Sequence, residues 1–481
     1  MKKVNILLLS ALVATFTAGC GGKDSSSLNT DHDPVTITYA SWDLGAADAE
    51  APNIERMMID EFEKQYPWIT VNIIERPKNP GTEDDQNWTE FLSAKASVGK
   101  LPDVFMADLL PNYITNNWVM DVTDFVKEDT EYQQLSDAAK EAAVYSGMTF
   151  AIPRSIHYHG YVVNKTLYYN RGVAVNEIPN SATSFDDLLT VTERAADHTS
   201  GGKGYAGLEG IEHIIHVYPA LLNSNYEWFT FDGEKFNLDS PEFRQAVDYY
   251  LSIWNNKKLS YDSIEQEDRI DFFGEGDLFP GGKMLARWQS SYQLGGLQTQ
   301  KDNGEIEFSL DFIGFPSVNG VKKTPISMDF NVISSQTQHP EEAYMLAKWL
   351  GFGKDGYSKR LNLSTTVDGL SIVNYAPLIP DADLLDAYFE LYPSFVEYRK
   401  VIESQSFIFE PVKNMVGYDY VRYNGTYDAE NTMYGIIAKI LQGTTKLADV
   451  STQLNKRANE IYQENLVSFN SALEKYYITA K

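Results

Sequence analysis

Val35-Thr36-Ile37-Thr38-Tyr39-Ala40-Ser41-Trp42-Asp43 decides the fold class. Its first six residues alternate β-branched side chains and read as a strand. Trp42 and Asp43 then fall in the loop beyond it. From Ile54 to Tyr66, Ile54, Met57, Met58 and Phe62 recur at helical spacing, and Pro67 ends the helix. Ile69 to Ile74 reads as a second strand. Asn79 to Gln86 is an acidic loop with Gly and Pro, and Trp88 to Val98 is a second helical pattern. Pro102 and Asp103 introduce a short buried strand, Val104-Phe105-Met106. Strand and helix in alternation predict an α/β lobe on a parallel or mixed sheet. Ligands of such sheets bind beyond the carboxyl ends of the strands. Trp42, Asp43 and Asp108 all lie just past one.

Further along, Phe150-Ala151-Ile152-Pro153 leads towards Tyr161-Val162-Val163. Arg154-Ser155-Ile156-His157-Tyr158-His159 between them is unusually polar for its place. Ser184 to Trp254 is mainly helical in pattern. Phe308 to Phe315 and Asn331-Val332-Ile333 read as strands, and Glu341 to Leu350 as a helix. From about 358 to 481 the pattern is mostly helical, and the chain has no internal repeat.

With 481 residues the chain is long enough for more than one domain. Its 30 Tyr, 24 Phe and 8 Trp supply flat faces that can stack on sugars or fill a core. A net charge of −27 repels phosphate backbones, which argues against nucleic acid as a partner. Cys20 is the single cysteine, so no internal disulfide and no thiolate metal cluster can form. Lys2 and Lys3 precede a largely apolar run from Val4 to Phe16. That run is too short to span a bilayer and has the length of a signal-peptide core. It leads into Thr17-Ala18-Gly19-Cys20, which resembles a bacterial lipobox with Thr in the usual Leu position. The expectation is a signal peptide over residues 1–19 and a lipid on Cys20. A Gly/Ser-rich tether then runs through the 20–34 segment. The membrane would be touched only through that anchor, on the outer face of the cytoplasmic membrane in Gram-positive style.

Several segments resemble the family 1 extracellular solute-binding proteins, the sugar receptors of ABC importers, in the family's own order. Gly99-Lys100-Leu101-Pro102-Asp103-Val104-Phe105 resembles its GxxPDVF strand entry. Trp118-Val119-Met120-Asp121-Val122 resembles its GLLxDL segment, with Trp in place of Gly. Ala151-Ile152-Pro153 followed by Val163-Asn164-Lys165 resembles its crossover. Phe236 to Phe243 resembles the segment before a long helix, and Gly282-Lys283-Met284-Leu285-Ala286 its GKxAM strand. Asn331 to Ser334 and Ala343 to Leu350 resemble the returning strand and helix. The resemblance implies an α/β, two-lobe, type II periplasmic-binding fold with three crossovers, near 155, 315 and 355. Residues 35–155 plus 316–355 would form lobe one, and 156–315 plus 356–481 lobe two. It further implies a monomeric receptor without cofactor or metal that closes on an oligosaccharide or other carbohydrate and docks on an ABC permease.

A sugar offers hydroxyls and weakly apolar faces, so its receptor needs polar donors and acceptors beside aromatic platforms. Asp43 and Asp108 fit the acceptor role, with helix capping as the alternative. Trp42 can serve as platform or core. His157 matches, by its position after Pro153, a family residue that contacts sugar and is often acidic. Tyr158 accompanies it. Tyr292 takes the place of a family Trp, with Trp288 on the same segment. Arg287 would suit a carboxylate-bearing sugar. Asp329 precedes a strand that lines the family's cleft, and Trp228 is a further aromatic of lobe two.

Two other readings compete with this one. A secreted glycoside hydrolase needs a paired set of carboxylates, which 67 acidic residues cannot exclude by number. Yet GxSxG, GxxxxGK[ST] and HExxH are all absent. A metal receptor is suggested by Glu212-His213-Ile214-Ile215-His216, although its Glu precedes the first His. The acidic loops at Glu83-Asp84-Asp85 and Glu275-Gly276-Asp277 lack EF-hand spacing.

Overall fold

The computed structural model describes residues 32–45, 51–79, 84–409 and 433–479. Cys20 and the leader lie outside them. Eleven strands are present among the described residues: β1 Val35–Ala40, β2 Ile69–Ile73, β3 Val104–Ala107, β4 Val144–Tyr145, β5 Met148–Thr149, β6 Ile152–Asn164, β7 Ala206–Glu209, β8 Met284–Ser290, β9 Leu310–Phe312, β10 Thr324–Ile333 and β11 Phe407–Phe409. Nine of them make one mixed sheet in the order β2-β1-β3-β10-β6-β8-β7, with β11 beside β10 and β9 beside β6. β4 and β5 form a separate hairpin.

The first third folds as its sequence pattern predicts. Asn53 caps the helix Ile54–Gln65 by accepting the Arg56 N–H, and the helix ends just before Pro67. Asn87 caps Trp88–Ser97 in the same way. β1 pairs in parallel with β2 and β3. Phe62, Phe91 and Phe105 are buried between sheet and helices, each contributing roughly 1.5–3 kcal/mol by leaving water.

β6 and β10 carry the chain across the middle. β10 runs antiparallel to β3 and to the first half of β6, pairing Ile326 with Tyr158 at its near end. From His159 to Val163, β6 pairs with β8 instead. At this change of partner a Cβ on Gly160 would sit 2.3 Å from the Gly314 carbonyl carbon. Only glycine lets the two backbones approach so closely.

Several strands differ from the sequence reading, among them the short pair β4 and β5. The polar run 154–160 lies inside one continuous strand, not between two. β10 begins at Thr324, well before Asn331. β7 lies within a region read as helical. There Gly207 presses against the Lys258 and Leu259 carbonyls, 2.3 and 2.6 Å from a would-be Cβ. The 358-onward region is mostly helical as expected, with β11 as its one described strand.

The helices Ile54–Gln65, Pro340–Leu350 and Lys354–Thr366 pack together on one face of the sheet. The C-terminal helix, Leu447–Thr479, is much the longest. Asn455 Oδ1 accepts the Leu238 N–H at 2.9 Å, and Tyr462 packs edge-on against Phe231. Further along, Phe469 meets Tyr145, Tyr476 meets Phe150, and the Tyr476 hydroxyl donates to the Val119 carbonyl at 2.8 Å. No described helix is long and apolar enough to cross a membrane.

Candidate ligand cleft

A strand alternates its side chains between faces, so register alone assembles a polar row across the middle of the sheet. His157 lies opposite Ser327, and Ser155 opposite Asp329. His159 lies opposite Ser290 of β8. His157 Nε2 is 3.0 Å from Asp329 Oδ2, and the Ser155 hydroxyl donates to the same oxygen at 3.2 Å. Ser155 Oγ is also 3.1 Å from His157 Nε2. His159 joins three strands, with Nδ1 2.7 Å from Ser290 Oγ and Nε2 2.9 Å from Ser327 Oγ. Burial, reinforced by the neighbouring His157 and His213, pushes the His159 pKa down to about 3 and keeps its ring neutral.

The row is incompletely satisfied. His157 is buried, yet its Nδ1 makes no hydrogen bond among the described residues. A neutral imidazole that donates from Nε2 to a carboxylate leaves Nδ1 as an acceptor. A buried polar atom left without a partner costs free energy, and a ligand hydroxyl would relieve that cost. Tyr292 stands over this position. Its ring meets His157 edge-on at 5.3 Å and is 46% exposed.

The carboxyl ends of β1 and β3 border the same place. Ser41, which follows β1, donates from Oγ to the Met106 sulfur of β3 at 2.8 Å. Asp43 and Asp108, one loop step further, are both exposed. Asp108 accepts the Leu109 N–H at 2.7 Å and the Tyr113 hydroxyl at 3.0 Å, so it also opens the next helix. Trp42 is half-buried and packs edge-on against Trp88 at 5.3 Å. The indole of Trp88 donates to the Met106 carbonyl at 3.1 Å.

Behind the row lies a second polar set, fully enclosed. Arg154 forks onto Glu55 with contacts of 2.7 and 2.9 Å and reaches Asp43 at 2.8 Å. Arg360 donates to Glu55 at 2.8 Å, and the Tyr39 hydroxyl at 2.5 Å. Burial alone would raise the Glu55 pKa. Arg154 and Arg360 overcome it and hold the carboxyl well below its ordinary range. Arg154 thereby orients Asp43 from below.

Three expected ligand residues are placed elsewhere. Tyr158 alternates to the back of β6 and is buried against Tyr398 and Phe407. Trp228 is fully buried beside His216. Arg287 sits in register with Val162 and Glu209, on the face of β8 away from Trp288. Its guanidinium is taken by Glu209 and by Asp277 at 2.5 and 3.1 Å. Trp288 is half-buried, stacked on His213 at 3.9 Å with the rings nearly parallel. His157, Asp329 and Tyr292 come together, with Asp43, Asp108 and Trp42 at the border. Ser155, His159, Ser290, Ser327 and Trp88 were not singled out as ligand residues. The alternation of polar residues at 155, 157 and 159 was the available signal for the first two.

The Ser155, His157 and Asp329 set is not a hydrolytic triad. Such a triad needs serine on one ring nitrogen and the carboxylate on the other. Here both lie on Nε2. His213 and His216 meet edge-on, 5.5 Å between centroids, and pack against Trp288 and Trp228 respectively. No group of three or more potential metal ligands occurs among the described residues.

Comparison with known proteins gives this architecture a family. None of the curated proteins matches the chain in sequence. Among solved structures, the ABC substrate-binding protein from Listeria monocytogenes in complex with cycloalternan superposes with a TM-score of 0.65 at 17% identity, covering 89% of this chain and 99% of that one. The cyclic alpha-maltosyl-1,6-maltose binding protein from Arthrobacter globiformis gives 0.63 at 15% identity, covering 90% and 100%. A solute-binding protein from Thermotoga lettingae bound with alpha-D-tagatose gives 0.61 at 16% identity, again covering 90% and 100%. These likenesses show the fold, the two-lobe architecture of solute-binding proteins. Residues 57–375 match the family described as bacterial extracellular solute-binding protein. The chain belongs to that family and is an extracellular solute-binding protein rather than an enzyme.

Proposed function

We propose that this protein is the carbohydrate receptor of an ABC importer and that its ligand is an oligosaccharide. The half-satisfied row of Ser155, His157 and Asp329, with Tyr292 over it, carries the reading. It offers hydroxyl partners below an exposed aromatic ring, which is what a sugar's edges and faces require. The sugar complexes of similarly folded proteins support the same ligand class. Lobes hinged through the middle of β6 and β10 would close because a ligand touches both only in the closed form. The closed receptor would then deliver its cargo to the permease. A lipid on Cys20 would keep it at the cell surface, and it would work as a monomer.

Titration calorimetry and tryptophan fluorescence against a panel of neutral oligosaccharides test this. The expected result is saturable binding, with about −8.2 kcal/mol for a micromolar ligand. Release of reducing ends from a polysaccharide, or no response to any saccharide, would overturn it.

A further inference from the structure

The charges around the row extend this reading to the class of saccharide. Asp329 lies on the row, and Asp43 and Asp108 stand exposed at the ends of β1 and β3 beside it. The guanidinium groups of the neighbouring elements are all engaged. Arg154 is held by Glu55 and Asp43 and is 1% exposed. Arg56 pairs with Glu75 at 2.8 Å and also donates to the Leu44 and Gly45 carbonyls. Arg76, over the ring of Trp88, pairs with Asp85 at 2.7 Å. Arg287 is closed off by Glu209 and Asp277 on the far face of β8. A ligand carboxylate would therefore meet Asp108, which accepts only the Leu109 N–H and the Tyr113 hydroxyl, beside Asp43 and Asp329, and would find each guanidinium already taken. Like charges repel in a partly desolvated site. The net charge of −27 adds a long-range field of the same sign. The hydroxyls of Ser155, Ser290 and Ser327 suit a sugar's hydroxyls, and the imidazole of His157 is already engaged by Asp329.

Resting on the carbohydrate reading above, we infer that the cleft selects uncharged saccharides and rejects uronates and phosphorylated or sulfated sugars. Arg287, closed off by Glu209 and Asp277, is then no partner for a carboxylate-bearing sugar. The full chain is titrated with neutral α-glucan and mannan oligosaccharides and with the same oligosaccharides oxidised at C6 to uronates. The best neutral ligand is expected to bind at least about 100-fold more tightly than its uronate at low salt, the gap narrowing as salt screens the exposed aspartates. Asp329→Asn is expected to narrow it by about 10-fold. A uronate that binds as tightly as its neutral parent overturns the selectivity and leaves the carbohydrate reading standing. An absence of binding by every neutral and oxidised saccharide overturns both.

Discussion

Alternate residues of one strand, β6, carry two polar sets that differ in kind. Arg154 points to the back, and Ser155, His157 and His159 to the front. Burial does not separate them: Arg154 is 1% exposed, Ser155 2% and His157 7%. Hydrogen-bond completeness does. At the back, the Glu55 carboxylate takes both nitrogens of the Arg154 fork, Arg360 and the Tyr39 hydroxyl. At the front, His157 keeps a buried nitrogen with nothing bound to it. A closed network specifies structure, whereas an open one in the same strand leaves valence for a guest.

The largest expected effect breaks the back. Glu55→Ala leaves two buried guanidinium groups without their shared carboxylate, and removing one partner of such a set costs about 3–5 kcal/mol. Urea unfolding measures it, and a loss under about 1 kcal/mol would leave Glu55 without a structural role. The pH dependence has a definite sign. The folded carboxyl lies below its unfolded value of about 4.3, so its stabilisation is in place above that pH and fades as pH falls further.

His159 belongs to the front but resembles the back, because both its nitrogens are used. Its folded pKa of about 3 lies below the unfolded value of about 6.5. The stabilisation from keeping it neutral is complete above pH 6.5 and is lost as pH falls towards 3. At pH 5 the loss is about 2 kcal/mol relative to pH 8. Unfolding of His159→Gln at both pH values should show that part of the acid sensitivity gone. An unchanged pH slope would place the sensitivity in other groups.

These two faces also explain what the sequence disclosed. The strands and helices from Val35 to Ala107 were legible because each has one dominant period and a clear stop, at Pro67 or Pro102. The middle of β6 was not, because a buried strand is expected to be largely apolar and this one carries Arg154 on one face and Ser155, His157 and His159 on the other. β7 was hidden by Ala206 and Gly207, weak strand formers chosen for close backbone approach. His157, Asp329 and Tyr292 were proposed from family position, and the structure brings them together. Tyr158 and Trp228 were misplaced because an aromatic side chain suits a core as well as a platform. The facing direction that decides between them depends on register.

His157→Ala sharpens the comparison from the other side. It removes the unsatisfied Nδ1 together with the Nε2 contact to Asp329, whose carboxylate keeps the Ser155 hydroxyl and reaches solvent, so apo stability should fall by about 1–2 kcal/mol, less than for Glu55→Ala, while affinity for the best neutral saccharide falls about 10- to 100-fold. Calorimetric titration paired with apo thermal melts checks both halves. A stability loss as large as that of Glu55→Ala would erase the distinction between the two faces.

Tyr292→Ala is the smallest change expected and isolates the aromatic roof from the polar floor. The ring is 46% exposed and meets His157 edge-on, so its removal should leave the apo melt nearly unmoved. A stacking partner lost from a saccharide should weaken binding about 10-fold, and Tyr292→Phe should retain most of the affinity because the flat face, not the hydroxyl, makes the contact. If Phe is as damaging as Ala, the phenol is acting as a hydrogen-bond group and belongs with the row beneath it. If neither variant changes affinity, the ligand lies along Trp42 and Trp88 at the ends of β1 and β3, and the open valence of His157 faces water instead.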